Sequence, residues 1–213
     1  MSEDLEAAAK TIGRDWQQNR YYEASEGDIG VFWSDRSKFK QQFDRLRLNR
    51  VVELACGHGK QSQYIIDKCE RLIFVDINAE NLEFCKTRYA GYNNTEFLLT
   101  NGYNLAGIED QSIDSIFCYD AMVHFPQQVV ESYLSDVKRI LKIGGRGLFH
   151  HSNLAAPMSL DYRSYSKNPH GRNIMSQYMF QRYALEAGMK ILSSEVFPWG
   201  NVNDLDCLTL VES

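Results

Sequence analysis

Five apolar runs separated by helix-like stretches occupy residues 50–152, and this rhythm restricts the fold more than any other feature of the chain. RVVELA, RLIFVD, TEFLLT, SIDSIFCYD and GRGLFHHS read as strands. KQSQYIIDKC, AENLEFCKTRYAG and PQQVVESYLSDVKRILK read as helices, with Gly91 ending the second and Pro126 in the first turn of the third. The strand runs are continuously apolar rather than strictly alternating, as parallel strands buried on both faces are. The expected architecture is therefore α/β, with a doubly wound, mostly parallel sheet.

The flanks complete this picture. Residues 153–175 show neither helical nor strand period and are expected to form a long loop, of the kind that usually serves function. Ser176 then caps a helix through Ala187 that Gly188 stops. MKILSSEVF and DLDCLTLVES follow as two strands, joined too closely for a helical crossover and so expected to pair antiparallel. They bring the strand count to seven. Ahead of the first strand, residues 3–24 read as a helix, 21–33 as a structured loop, and Ser34 to about Leu48 as a second helix with Phe39, Phe43 and Leu46 on one face. Residues 1–48 are thus expected to cap a core formed by 49–213, all within a single domain.

Bulk properties exclude several classes. A net charge of −5 speaks against a general nucleic-acid binder. No apolar run of about 18 residues suggests a membrane span, and the acidic start MSEDLEAAAK lacks the apolar segment of a secretory leader. A cytoplasmic protein is the expectation, monomeric or homodimeric. The five cysteines (Cys56, Cys69, Cys85, Cys118, Cys207) have no CxxC spacing, which suits reduced, buried thiols rather than a zinc site or disulfide framework.

Ligands of open α/β sheets bind outside the carboxyl ends of the strands. Here those ends are Glu53–Gly59, Val75–Asn78, Leu99–Tyr103, Tyr119–His124 and His150–Asn153, each polar after an apolar run. A glycine turn followed, one strand later, by an acid is what a ribosyl cofactor needs: close backbone approach, then a carboxylate for vicinal hydroxyls. Asp76 lies 23 residues beyond Glu53, a suitable interval. NAD is one candidate, although GHGKQS matches GxGxxG only in its first two glycines.

Taken together, these elements resemble the class I S-adenosylmethionine-dependent methyltransferases, over about residues 50–213. Glu53-Leu-Ala55-Cys56-Gly57-His-Gly59 is similar to that family's E/D-x-G-x-G-x-G element, with Ala55 in place of its first glycine. Asp76, followed by Ile77, matches the acid that holds the ribose hydroxyls. Thr100-Asn101-Gly102-Tyr103-Asn104-Leu105 resembles the adenine-side element, which implies Asn101 at the adenine amino group with Gly102 and Tyr103 nearby. DSIFCYDAMVHF, containing Asp120 and Ala121, is similar to the fourth element, and LKIGGRGLF to the entry of the fifth strand. The resemblance implies a Rossmann-like fold, S-adenosylmethionine as cofactor and S-adenosylhomocysteine as product.

The acceptor side rests on histidines. Removing a proton from a hydroxyl acceptor calls for a base, and His124, His150 and His151 all fall at strand ends. His124 and His151 are the first choices; His150 and His151 alternate across the strand, so at most one of them faces the site. His58, inside the glycine turn, reads as a cofactor neighbour. The expected reaction is O-methylation of a small molecule such as a sugar or other hydroxylated metabolite. Alternatives are N-methylation of a small amine, NAD-linked oxidoreduction and a cofactor-binding protein without turnover. Tyr21, Tyr22, Phe32 and Trp33 are candidates to close over the substrate, Tyr22 and Trp33 foremost, against the alternative of core packing. Arg163, His170 and Arg172 give the long loop a positive character suited to an anionic group on the acceptor. No metal is expected, since no ligand spacing supports one.

Overall fold

The computed structural model describes residues 2–17, 20–156 and 171–213. Seven strands form one sheet: β1 (Arg50–Leu54), β2 (Arg71–Asp76), β3 (Thr95–Leu99), β4 (Ile113–Cys118), β5 (Leu141–Ser152), β6 (Lys190–Trp199) and β7 (Val202–Glu212). Their order is β3–β2–β1–β4–β5–β7–β6. β1 to β5 run parallel, and β7 pairs antiparallel with both β5 and β6. The mostly parallel sheet with its closing antiparallel pair is the architecture expected from the sequence.

Alternation along the central strands feeds two cores. Val52 and Leu54, Ile73 and Val75, Ile116 and Cys118 pack on one face with helices α6 (Gln127–Ile140) and α7 (Gln177–Glu186). Val51, Leu72, Phe74 and Phe117 pack on the other, against α4 (Lys38–Phe43) and α5 (Ala79–Arg88). α7 starts as expected: Ser176 caps it by accepting the Met179 N–H. Ahead of the sheet come α1 (Ser2–Trp16) and two single turns, α2 (Tyr21–Ala24) and α3 (Ile29–Phe32).

Several local expectations are corrected. Residues 60–69 form two 3₁₀ turns, Gln61–Tyr64 and Ile66–Lys68, instead of an α-helix. Ile65 and Ile66 are both 1% exposed. Adjacent residues on an α-helix point about 100° apart, and a break between the two turns lets both enter the core. The second N-terminal helix is capped by Ser37, which accepts the Lys40 N–H, while Ser34 donates to the Val31 carbonyl and closes the preceding turn. Residues 21–32 form successive helical turns where a structured loop is expected. β5 begins at Leu141, directly after α6, four residues earlier than its apolar run suggests. Among the described residues no helix is long and apolar enough to cross a membrane.

Candidate active site

Strand order reverses between β1 and β4, and a pocket opens there over the strand ends. It takes in about 940 Å³ of space between the atoms, open solvent at its mouth included. α1 and the Tyr21–Tyr22 turn form its roof through Ala9, Ile12, Gly13, Trp16, Tyr21 and Tyr22.

The floor is the glycine turn after β1. Ala55, Gly57 and Gly59 all adopt positive φ, at +54°, +52° and +67°. A Cβ on Gly57 would sit 2.6 Å from the Tyr22 ring, so glycine is what lets Tyr22 lie against the turn. Asp76, at the end of β2, is tied into this turn: Oδ2 accepts the Gly57 N–H at 2.9 Å, and Oδ1 accepts the Asn78 N–H at 2.9 Å and Asn81 Nδ2 at 3.1 Å. Burial raises its pKa, and the backbone donors act against that rise. Glu53 is 4% exposed and accepts from Ser62 Oγ. Burial pushes its carboxyl up to about 8.

The far wall comes from the turn after β4. Asp120 has φ +59°, a conformation Asp tolerates better than most residues. Its carboxylate accepts from the Tyr21 hydroxyl and lies 4.0 Å from Lys60 Nζ. Its backbone N–H donates to His150 Nδ1 at 3.1 Å. His124 lines the pocket with its ring centroid 4.6 Å from that of Trp16. His124 Nδ1 is 2.9 Å from the Gly171 carbonyl, which only accepts, so Nδ1 carries the proton and Nε2 is left as the ring's acceptor. Burial lowers its pKa to about 4 and keeps the ring neutral. The acidic side chains of Glu53, Asp76 and Asp120, the rings of Trp16, Tyr21, Tyr22 and Tyr119, and Lys60 line the pocket together. Asp76 offers acceptor oxygens for a vicinal diol, and the ring faces suit a positive centre.

Of the residues expected at the cofactor, Glu53, Ala55, Cys56, Gly57, Asp76, Ile77, Gly102, Asp120 and Ala121 line the pocket. Gly59, Asn101 and Tyr103 do not. The Asn101 side-chain oxygen accepts the Tyr103 and Asn104 N–H groups at 3.1 Å each, capping its own turn. On the acceptor side Tyr22 and His124 line the pocket. Trp33 is instead packed among Phe39, Phe43 and Tyr64, with Nε1 donating to Gln61 Oε1 at 2.7 Å. Arg172 is buried against Asp206 rather than offered to a ligand. Arg163 and His170 lie outside the described residues.

The two β5 histidines are core residues. His151 is stacked on Phe180 (3.9 Å, 3°), and its nitrogens are 2.9 Å from the Ser152 carbonyl and Thr209 Oγ1. Burial drives its pKa down to about 3. His150 sits on the opposite face, between Asp120 N–H and Asp206. With both rings at 0% exposure, neither reaches an acceptor directly. Trp16 and Lys60 also form the site and were not singled out from sequence. The signal for Trp16 was present: Ala9, Ile12, Gly13 and Trp16 are spaced at i, i+3, i+4, i+7. Among the described residues no group of three or more His, Cys, Asp or Glu is placed to hold a metal.

The sheet has the Rossmann-like fold that class I S-adenosylmethionine-dependent methyltransferases share, with a pocket at its switch point. Within it, residues 51–145 match the family model described as a methyltransferase domain. A curated relative, the probable phthiotriol/phenolphthiotriol dimycocerosates methyltransferase 2 of Mycobacterium ulcerans, is 30% identical over 98 residues, 45% of this chain and 36% of the relative. The match thus spans about a third of that relative's length. Among solved structures, geranyl diphosphate C-methyltransferase from Streptomyces coelicolor superposes with a TM-score of 0.68 at 12% identity, covering 81% of this chain and 77% of that one. A SAM-dependent methyltransferase from Methanosarcina mazei gives 0.64 at 16% identity, over 80% and 95%. At these identities the structures speak for the fold.

Proposed function

We propose that this protein binds S-adenosylmethionine and transfers its methyl group to a small acceptor, at a hydroxyl, with His124 as general base. The observation that carries the reading is one pocket holding both halves of the chemistry: Asp76 bound into the glycine turn on one side, and His124 held as the Nδ1–H tautomer on the other.

When bound, the cofactor supplies an electrophilic methyl group on a sulfonium. Asp76 would accept hydrogen bonds from its ribose hydroxyls, with the backbone of the 55–57 turn close against it. Glu53 anchors the methionine side. The roof of Trp16, Tyr21 and Tyr22 excludes water and fixes the acceptor in line for displacement. His124 Nε2 takes the hydroxyl proton as attack proceeds. A base with so low a pKa accepts that proton together with bond formation, not ahead of it. The name of the curated relative supports a small-molecule acceptor.

The test is a screen of hydroxylated metabolites and small amines with methyl-labelled cofactor, run on wild type and His124→Asn. The expected result is label in a hydroxyl acceptor, with kcat lowered about 10²–10⁴-fold in the variant. Label confined to amines, at equal rates in both proteins, would overturn the base assignment.

A further inference from the structure

A buried ion-pair array stands beside the pocket without lining it. Asp206, at 0% exposure, accepts from Arg172 Nε at 2.9 Å, from Arg172 Nη2 at 2.7 Å and from His150 Nε2 at 2.9 Å. The Arg172 guanidinium lies over the Trp199 ring at 4.9 Å. Burial by itself would raise the Asp206 pKa, but the hydrogen bonds from Arg172 and His150 outweigh it and hold the group at about 2. A buried ion pair of this kind adds little stability over apolar packing of the same volume. Its consequence lies in what it holds in place.

What it holds is the segment 171–175, sewn onto the His124 turn. The Asn173 N–H donates to the Val123 carbonyl at 2.8 Å, and Asn173 Nδ2 to the His124 carbonyl at 3.2 Å. Gln127 Nε2 donates to the Ile174 carbonyl at 2.8 Å. Gly171, next to Arg172, supplies the carbonyl that receives His124 Nδ1.

We propose that Arg172 and Asp206 are positioning residues for His124: their ion pair pins residue 171, whose carbonyl holds the ring as the Nδ1–H tautomer and keeps Nε2 as the proton acceptor. Through His150 the same array also fixes the Asp120 backbone, so both residues of the far wall hang from Asp206. The charged and titratable groups acting on the His124 ring are Arg172, Asp120 and His150. The proposal rests on His124 being the base, but its readout needs no acceptor.

The experiment is nitrogen NMR of the histidine-labelled full chain, with the His124 signals assigned by their loss in His124→Gln. Wild type is expected to show His124 as a single Nδ1–H tautomer at neutral pH. Arg172→Met/Asp206→Leu removes both charges together, and this folded variant is expected to show the Nε2–H form appearing at His124. Arg172→Lys keeps the charge but loses the two-pronged geometry, and it is expected to show a smaller admixture. An Nε2–H ring in wild type overturns the proposal at once. An unchanged tautomer in the folded double variant, or in Arg172→Lys should the double variant fail to fold, overturns it too. An unchanged tautomer alongside lost turnover in His124→Asn would sink the positioning role and leave the base assignment standing.

Discussion

At Ala55 the backbone is left-handed, φ +54°, a conformation that costs an L-residue roughly 1–2 kcal/mol and glycine almost nothing. Ala→Gly changes ordinarily destabilise by loosening the unfolded chain. Here the sign is expected to reverse: Ala55→Gly should gain about 0.5–1 kcal/mol in denaturant unfolding, and a loss would contradict the strain. His151 offers a second residue-scale check. Its pKa is about 3 in the folded protein against about 6.5 unfolded. Between those values the unfolded chain binds the extra proton, so the contribution of His151 to stability falls as pH drops below 6.5. Relative to His151→Gln, wild type should lose up to about 1.4 kcal/mol per pH unit between pH 6 and 4. Equal pH profiles would mean the ring is not buried neutral. The glycine turn and Asp76 were legible because conformational need and spacing are local properties. That His151 is core was not, since it depends on which face of β5 receives Phe180.

At the scale of elements, residues 1–48 are readable as a helical cap, but which surface α1 covers is not. A stripe of Ala9, Ile12, Gly13 and Trp16 reads the same whether it covers a core or a pocket, and only the packed structure shows that it roofs the site. If α1 opens for ligand entry, a bound ligand holds it shut by mass action. S-adenosylhomocysteine at about 100 times its Kd should then slow hydrogen exchange of the α1 amides by up to about 100-fold. Unchanged α1 exchange at saturation would show that this helix takes no part in closing the site. The 60–69 segment teaches a related lesson: its composition permits a helix, but two adjacent buried isoleucines split it into 3₁₀ turns.

For the whole molecule, the repeating apolar runs made the layered α/β sheet readable, and the short connection after β6 made its antiparallel closure readable. The exchange of β6 and β7 in the sheet order was not, because a tight hairpin says who pairs with whom but not which strand meets β5. The central claim is that this fold places Asp76 and the glycine turn for S-adenosylmethionine rather than for a dinucleotide. Calorimetric titration with S-adenosylhomocysteine and with NAD, on wild type and Asp76→Ala, tests it most directly. Saturable binding of S-adenosylhomocysteine to wild type, lost in Asp76→Ala, with no heat from NAD, is the predicted result. Saturable NAD binding without any S-adenosylhomocysteine heat would contradict the account.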